Sequence, residues 1–177
     1  MGEVMIVYHP AFDLYHCVFR MLQILTHFSR NEYVEIDRLR VWDYYLLFPE
    51  QVHTIRLTKK EQDIRKLINS YISKIDNPYN SVLDNRKMFE KIKPYQLTAI
   101  KCLASHGIIK KEYVAENRVT IVSKQIIQKY VSQFEPLSPK ELNIISLMTS
   151  HFYQMSMFGP DGLKARTKLL ESRYDAE

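Results

Sequence analysis

Glycine is scarce in this chain, with four residues in 177, and cysteine scarcer, with two. With so few glycines there is no G-x-G-x-x-G turn, no Walker A loop and no G-x-S-x-G elbow. Dinucleotide binding, P-loop ATP hydrolysis and α/β-hydrolase chemistry thereby lose their signatures. Cys17 and Cys102 are isolated within apolar helical patterns. They make neither a disulfide framework nor a C-x-x-C pair, and reduced thiols in a cytoplasmic protein are the expectation. H-E-x-x-H is missing as well. No stretch approaches the roughly 20 apolar residues of a membrane span. The opening MGEVMIVYHP has no basic start and no small-residue cleavage site, so a secretory signal is not expected. Met5 and Ile6 follow Met1-Gly2 where a myristoylation pattern needs Ser or Thr at position six.

What is abundant is apolar and aromatic surface. Hydrophobic residues make up 46% of the chain, with twelve tyrosines and eight phenylalanines, which is enough for one domain with a real core. Long apolar periodicities with little glycine favour helix over sheet. The net charge of +5 is uneven: residues 1–57 carry 5 basic and 7 acidic side chains, residues 58–100 carry 9 and 5, and residues 101–177 carry 11 and 8. Two faces with different partners would produce this asymmetry, and so would ordinary solvated lysines.

The patterns predict a mainly α chain with a small β-hairpin, an α+β fold. Residues 3–8 form a short apolar lead-in. A helix follows from Pro10 to Ser29, broken at Asn31, and a second spans Ile36 to Phe48, with Asp37 as its N-cap and Pro49 as its stop. Thr58-x-x-Glu61 is a capping box opening an amphipathic helix that carries Ile64, Leu67, Ile68, Tyr71, Ile72 and Ile75 and ends at Asp76-Asn77-Pro78. Two short helices fit Arg86–Ile92 and Pro94–Ser105, with Leu97, Ile100, Leu103 and Ala104 buried and Gly107 as the C-terminal stop. Two β-rich runs, Ile108–Val114 and Arg118–Val122, flank a polar turn. Helix, Gly-Ile-Ile, then a lysine-bearing hairpin is the order of a winged helix-turn-helix module; a structural hairpin in another α+β fold has the same order. Ser123–Phe134 reads as helix, Ser138-Pro139-x-Glu141 as a second capping box for a helix reaching Tyr153, and Leu163–Ser172 as the last helix after the Phe158–Gly162 turn. The organisation is an N-terminal helical interaction region (1–57), a winged-helix-like region (58–134, hairpin 108–122) and C-terminal helices (135–177), all in one compact domain.

Three constellations bear on function. His9, Asp13, His16 and Arg20 are spaced four, three and four apart, which on one continuous helix places them on a single face. The residue types suit a metal, but no fourth ligand presents itself, and no other motif marks a catalytic cleft. Neither a metal site nor a catalytic residue is therefore assigned. The preferred reading is a satisfied polar seam that fixes the register of a packed partner surface. Lys101, Lys110, Lys111, Arg118 and Lys124 surround the expected hairpin and are the candidate phosphate contacts. Each one engaged on duplex DNA would add about 0.9 to the salt slope, which makes for weak, sequence-blind binding. The helix before the hairpin offers only Gln96, Lys101 and His106 as base readers, too few for a specific repressor. In Trp42-Asp43-Tyr44-Tyr45-Leu46-Leu47-Phe48-Pro49, Trp42 and Leu46 read as core, and Tyr44 or Tyr45 as an interface.

The blocks YHPAFDLYHCVFRMLQIL and EIDRLRVWDYYLLFPEQV together resemble the middle components of bacterial ABC-three-component conflict systems, close relatives of the small subunit of Lamassu-type defence. In motif detail the likeness covers roughly the first fifty residues. The resemblance implies a non-enzymatic adaptor between an SMC/Rad50-like ABC ATPase and an effector such as a nuclease, acting against phage or plasmid DNA. It implies no cofactor of the chain's own and no membrane. The family's positions would fall on His9, Pro10, Asp13, His16 and Arg20 in the first helix, and on Asp37, Arg38, Arg40, Asp43 and Phe48-Pro49 in the second. Interface roles are thus expected at His9, Asp13, His16, Arg20, Asp37, Arg40, Asp43 and Tyr44. The rival is a free-standing winged-helix DNA-binding transcription regulator, and a metal-dependent hydrolase stands third.

Overall fold

In the computed structural model of the chain, residues 9–28, 33–74 and 84–170 are described. The expected lead-in at 3–8, the break at Asn31, Ile75 with the Asp76-Asn77-Pro78 stop, and Ser172 lie outside them.

The first element departs from the single helix expected at Pro10–Ser29. Proline fixes its own φ and opens a 3-10 turn over Pro10–Phe12, capped by the His9 ring, whose Nδ1 accepts from the Ala11 N–H at 3.0 Å. The chain then extends at Asp13 (φ −121°, ψ 122°), and Asp13 becomes the N-cap of α1 (Leu14–His27), its Oδ1 accepting from the His16 backbone N–H at 2.9 Å. His9 and Asp13 therefore do not share the helix face of His16 and Arg20.

After β1 (Val34–Glu35), α2 runs over Ile36–Leu47. Asp37 lies in its first turn, not at the cap, which is Glu35. Within α2 only Asp37 is exposed and Leu47 half-buried; every other residue is buried. A helix buried almost all round must sit in the middle of the fold, and α2 does: α1, α4, α7 and the following 3-10 segment Pro49–Thr54 all touch it. The Thr58–Glu61 capping box forms as expected, but its first turn, Lys59–Glu61, is 3-10, and α3 spans Gln62–Tyr71.

The two short helices expected on either side of Pro94 are one: α4 runs unbroken over Asn85–Ser105. The carbonyl that loses its bond to Pro94 is that of Glu90, and both residues are on the exposed face, so water can serve it. Gly107 (φ +68°) ends the helix as expected.

The hairpin is the main correction. Residues 111–115, expected as strand, form the short helix α5 (Lys111–Ala115). It closes when Glu116 and Asn117 donate back to Tyr113 and Val114 and Asn117 turns left-handed (φ +58°). What remains between the two runs is one antiparallel bridge, Ile109 to Ile121. β2 (Arg118–Val119) finds its partner far away in sequence, at β1, in the register Val34–Val119 and Glu35–Arg118. Residues 118–122 are thus gripped from both sides, a long-range pairing that no local pattern announces.

α6 (Lys124–Val131) and α7 (Pro139–Ser150) follow as expected, α7 with its complete Ser138/Glu141 capping box, although it stops short of Tyr153. α8 (Leu163–Thr167) ends at left-handed Lys168 (φ +57°), short of the expected Ser172. Around α2 the core gathers Trp42, Tyr44, Tyr45, Phe89, Ile92, Ile100 and Phe152, each under 2% exposed.

Candidate functional site

The centre of the polar constellation is Asp43, on the fully enclosed side of α2 and 0% exposed. One oxygen accepts from Arg20 Nε at 2.6 Å; the other accepts from Arg20 Nη2 at 3.2 Å, Gln96 Nε2 at 2.9 Å and, more weakly, the Cys17 thiol at 3.9 Å. This bidentate fork is the geometry for which arginine is suited. Arg20 Nη1 also reaches the Pro10 carbonyl at 3.4 Å, so one guanidinium ties the 3-10 turn, α1 and α2 together.

Gln96 extends the network from α2 to α4. Its Nε2 also donates to the Arg40 carbonyl at 3.0 Å, and its Oε1 accepts from Arg40 Nε at 3.0 Å. Arg40 Nη1 donates to Asp37 at 2.9 Å, and the guanidinium carbon lies 4.4 Å from the centre of the Phe89 ring. On the same helix Arg38 donates to Glu35 at 2.7 Å and to the Phe152 carbonyl at 2.9 Å, joining α2 to the end of α7.

Burial and the charges of the network shift several of these groups from their ordinary ranges. Burial alone would lower the Arg20 pKa, but the charge and hydrogen bonds of Asp43 outweigh it and hold the guanidinium more firmly protonated. Burial drives the Cys17 thiol far up, and the Asp43 charge adds to the effect against the smaller opposing pull of Arg20. Burial likewise raises the phenols of Tyr44 and Tyr45. Glu35 goes the other way. Partial burial opposes its ionisation, yet the Arg38 hydrogen bond, a backbone bond and the Arg38 and Arg118 charges together hold the carboxyl below its ordinary range. Two buried side-chain nitrogens among the described residues lack an acceptor, Arg40 Nη2 and Trp42 Nε1.

Of the eight expected interface residues, the structure unites Arg20, Asp43, Arg40 and Asp37 in one network inside the chain, with Arg20, Arg40 and Asp43 at most 7% exposed. The seam joins α1, α2 and α4 of the same molecule. Tyr44, expected at an interface, is 0% exposed and donates to Asn85 at the start of α4; Tyr45 is equally buried. His9 stacks loosely between Phe12 and Phe48, and His16 is exposed on α1. Among the described residues no three His, Cys, Asp or Glu side chains gather as a metal-binding group.

Lys101, Lys110, Lys111 and Lys124 are exposed, on α4, before α5, at the start of α5 and at the start of α6. Arg118 is less available: its guanidinium lies 4.3 Å over the Tyr33 ring and 3.7 Å from Glu116. Gln96, read as a base-contacting side chain, is 0% exposed and belongs to the hub. The sequence did carry a signal for it, because Phe89, Ile92, Gln96, Ala99, Ile100 and Leu103 form one buried stripe with a single polar member. A second network, unanticipated, latches the C-terminal segment: Arg166 grips Glu61 at 2.7 and 2.9 Å while Glu61 still caps Thr58.

A family model described as ABC-three component (ABC-3C) system Middle Component 5 matches residues 6–175. The chain belongs to this family. The match spans both the Asp43 network and the Glu61–Arg166 latch. No curated protein and no solved structure matches the chain. Among the described residues, no helix of this middle component is long and apolar enough to cross a membrane.

Proposed function

We propose that this middle component is a non-enzymatic, cytoplasmic adaptor that links an SMC/Rad50-like ABC ATPase to an effector such as a nuclease, in Lamassu-like defence against phage or plasmid DNA. The observation that carries the reading is membership of the ABC-3C middle-component family over residues 6–175. The physical chemistry supports it from another side. The groups best suited to chemistry, Asp43, Arg20, Gln96 and Cys17, are engaged with one another inside the core, whereas large apolar groups such as Tyr15 (85% exposed) and Phe158 (71%) stand on the surface. Any DNA contact is auxiliary: Lys101, Lys110, Lys111 and Lys124 touch phosphates weakly and without sequence preference, in a winged-helix-like region formed by α4 and the bridged segments after it.

The test is co-expression of the full chain with the other components of its own system, followed by affinity capture and mass measurement. The adaptor reading expects one assembly containing the chain with both the ATPase and the effector, and little retention of duplex DNA by the chain alone. A chain that stays monomeric beside its neighbours and binds duplex DNA tightly by itself would overturn it in favour of the regulator.

A further inference from the structure

A groove of about 510 Å³ lies between the start of α1 and the segment that joins α6 to α7. Phe19 of α1 and Phe134 of the joining segment meet edge to face within it, ring centres 4.8 Å apart, and Leu137 adds to the apolar lining. Tyr15, one turn before Phe19, lines the groove with 85% of its surface in water, and Phe134 is 38% exposed. Aromatic rings left in water beside an apolar hollow are the composition of a contact face. The charged lining is one-sided. Glu135 and Glu141 contribute carboxylates, and no lysine or arginine stands among the described lining residues. Glu141 uses one oxygen to cap Ser138 at 2.7 Å, and the Glu135 carboxylate has no ion-pair or hydrogen-bond partner among the described residues. Lys140, next to Glu141 in sequence, is paired with Glu50. Even with His16 protonated, the groove holds more negative charge than positive, in a chain whose net charge is +5.

That excess selects the occupant. A phosphate or an acidic segment would be repelled, and a wholly apolar segment would cover two carboxylates without pairing them. A metal ion is not the match, since no three ligating side chains gather among the described residues. What fits is a cation carried next to apolar surface. Arginine suits it best, because a planar guanidinium pairs with a carboxylate and also stacks on the face of a ring. We infer that this groove docks a segment of a partner component in which an arginine adjoins an apolar residue. The guanidinium goes to Glu135 and the exposed ring of Tyr15, and the apolar residue goes against Phe19, Phe134 and Leu137. The inference rests on the adaptor reading above and names the chemistry of one of its contacts.

The experiment uses the full chain co-expressed with the other components of its system, comparing wild type with Tyr15→Ala, Glu135→Lys and Glu90→Lys. All three positions are exposed, and circular dichroism checks that each variant folds. Glu90, on α4 and outside the groove, makes the same change of net charge elsewhere. The expected result is that Tyr15→Ala and Glu135→Lys each lower partner recovery by at least about tenfold, while Glu90→Lys retains it. Groove variants that assemble as wild type does would overturn this inference and leave the adaptor reading standing. An equal loss in Glu90→Lys would assign the effect to net charge and overturn it as well. Isolated wild-type chain that dimerises, with the dimer lost in both groove variants, would place a second copy in the groove and overturn it too. Wild-type chain that captures no partner would overturn both readings.

Discussion

Replacing Asp43 by asparagine tests whether the hub is structural. The substitution keeps the volume of a side chain with no exposed surface but removes its charge. Arg20, bonded to it at 2.6 and 3.2 Å, becomes a buried cation facing a neutral amide, and one of the two asparagine positions must now meet the donors of Arg20 or Gln96 with a donor of its own. Removing one member of a buried ion pair costs about 3–5 kcal/mol, and the retained carbonyl places Asp43→Asn near the lower end, about 3 kcal/mol. With a urea m-value of about 2 kcal/mol/M for a domain of this size, the unfolding midpoint falls by about 1.5 M. Trp42 is the single tryptophan, 1% exposed and adjacent to Asp43, so its fluorescence follows the transition at the right place. The double variant Arg20→Met with Asp43→Asn should lose about 2 kcal/mol less than the sum of the two single changes, because no unpaired charge then remains inside. A midpoint shift below about 0.3 M for Asp43→Asn, or strict additivity, would refute the claim that this pair organises the three helices.

Glu61→Gln breaks the bidentate grip on Arg166 and weakens the Thr58 cap, and urea unfolding at neutral pH should show a loss of about 2 kcal/mol. Slight burial alone would raise the Glu61 pKa, but the Arg166 and Thr58 bonds outweigh it and hold it below the ordinary range. The stability it contributes is therefore complete above the unfolded value of about 4.3 and disappears as pH falls through the lower folded value, so the variant should show a shallower acid decline than wild type. At Gly107 a Cβ would meet nothing, yet φ is +68°; Gly107→Ala should cost about 1 kcal/mol through backbone strain alone, read as a lowered melting temperature with unchanged circular dichroism. Cys17, buried and raised in pKa, should react with a thiol reagent at neutral pH only as fast as the chain opens, whereas half-buried Cys102 should react faster.

Local chemistry was legible. The capping boxes at Thr58 and Ser138, the glycine stop at Gly107 and the periodicities of α2, α6 and α7 stand where the sequence placed them. The failures share a cause: each was decided by a neighbour distant in sequence or by solvent. Pro94 looked like a boundary, but the carbonyl it orphans lies on the wet side of α4, and tertiary packing carries the helix through. The Ile-Val-Tyr-Thr composition of 108–122 looked like a hairpin, but the better strand partner for Arg118–Val119 is Val34–Glu35, leaving Lys111–Ala115 to close as a helical turn.

The candidate site divides the same way. That charged groups on an apolar helix must be satisfied was readable from the first twenty residues. Which groups satisfy them was not, since Asp43 is 23 positions from Arg20, and Gln96 is 53 from Asp43. The resemblance pointed to Arg20, Arg40 and Asp43 together without saying whether they meet each other or a partner. In the fold they meet each other.

Hydrogen exchange of the chain, first alone and then in the assembly with its neighbouring components, tests that conclusion most directly. If the charged hub is an internal lock, the amides of α2 and the middle of α4 exchange slowly in the isolated chain, and assembly adds protection only at surface segments. Rapid exchange across α2 in the isolated chain, slowed only when the partners bind, would show that Arg20, Arg40 and Asp43 are completed by another subunit and would contradict the account.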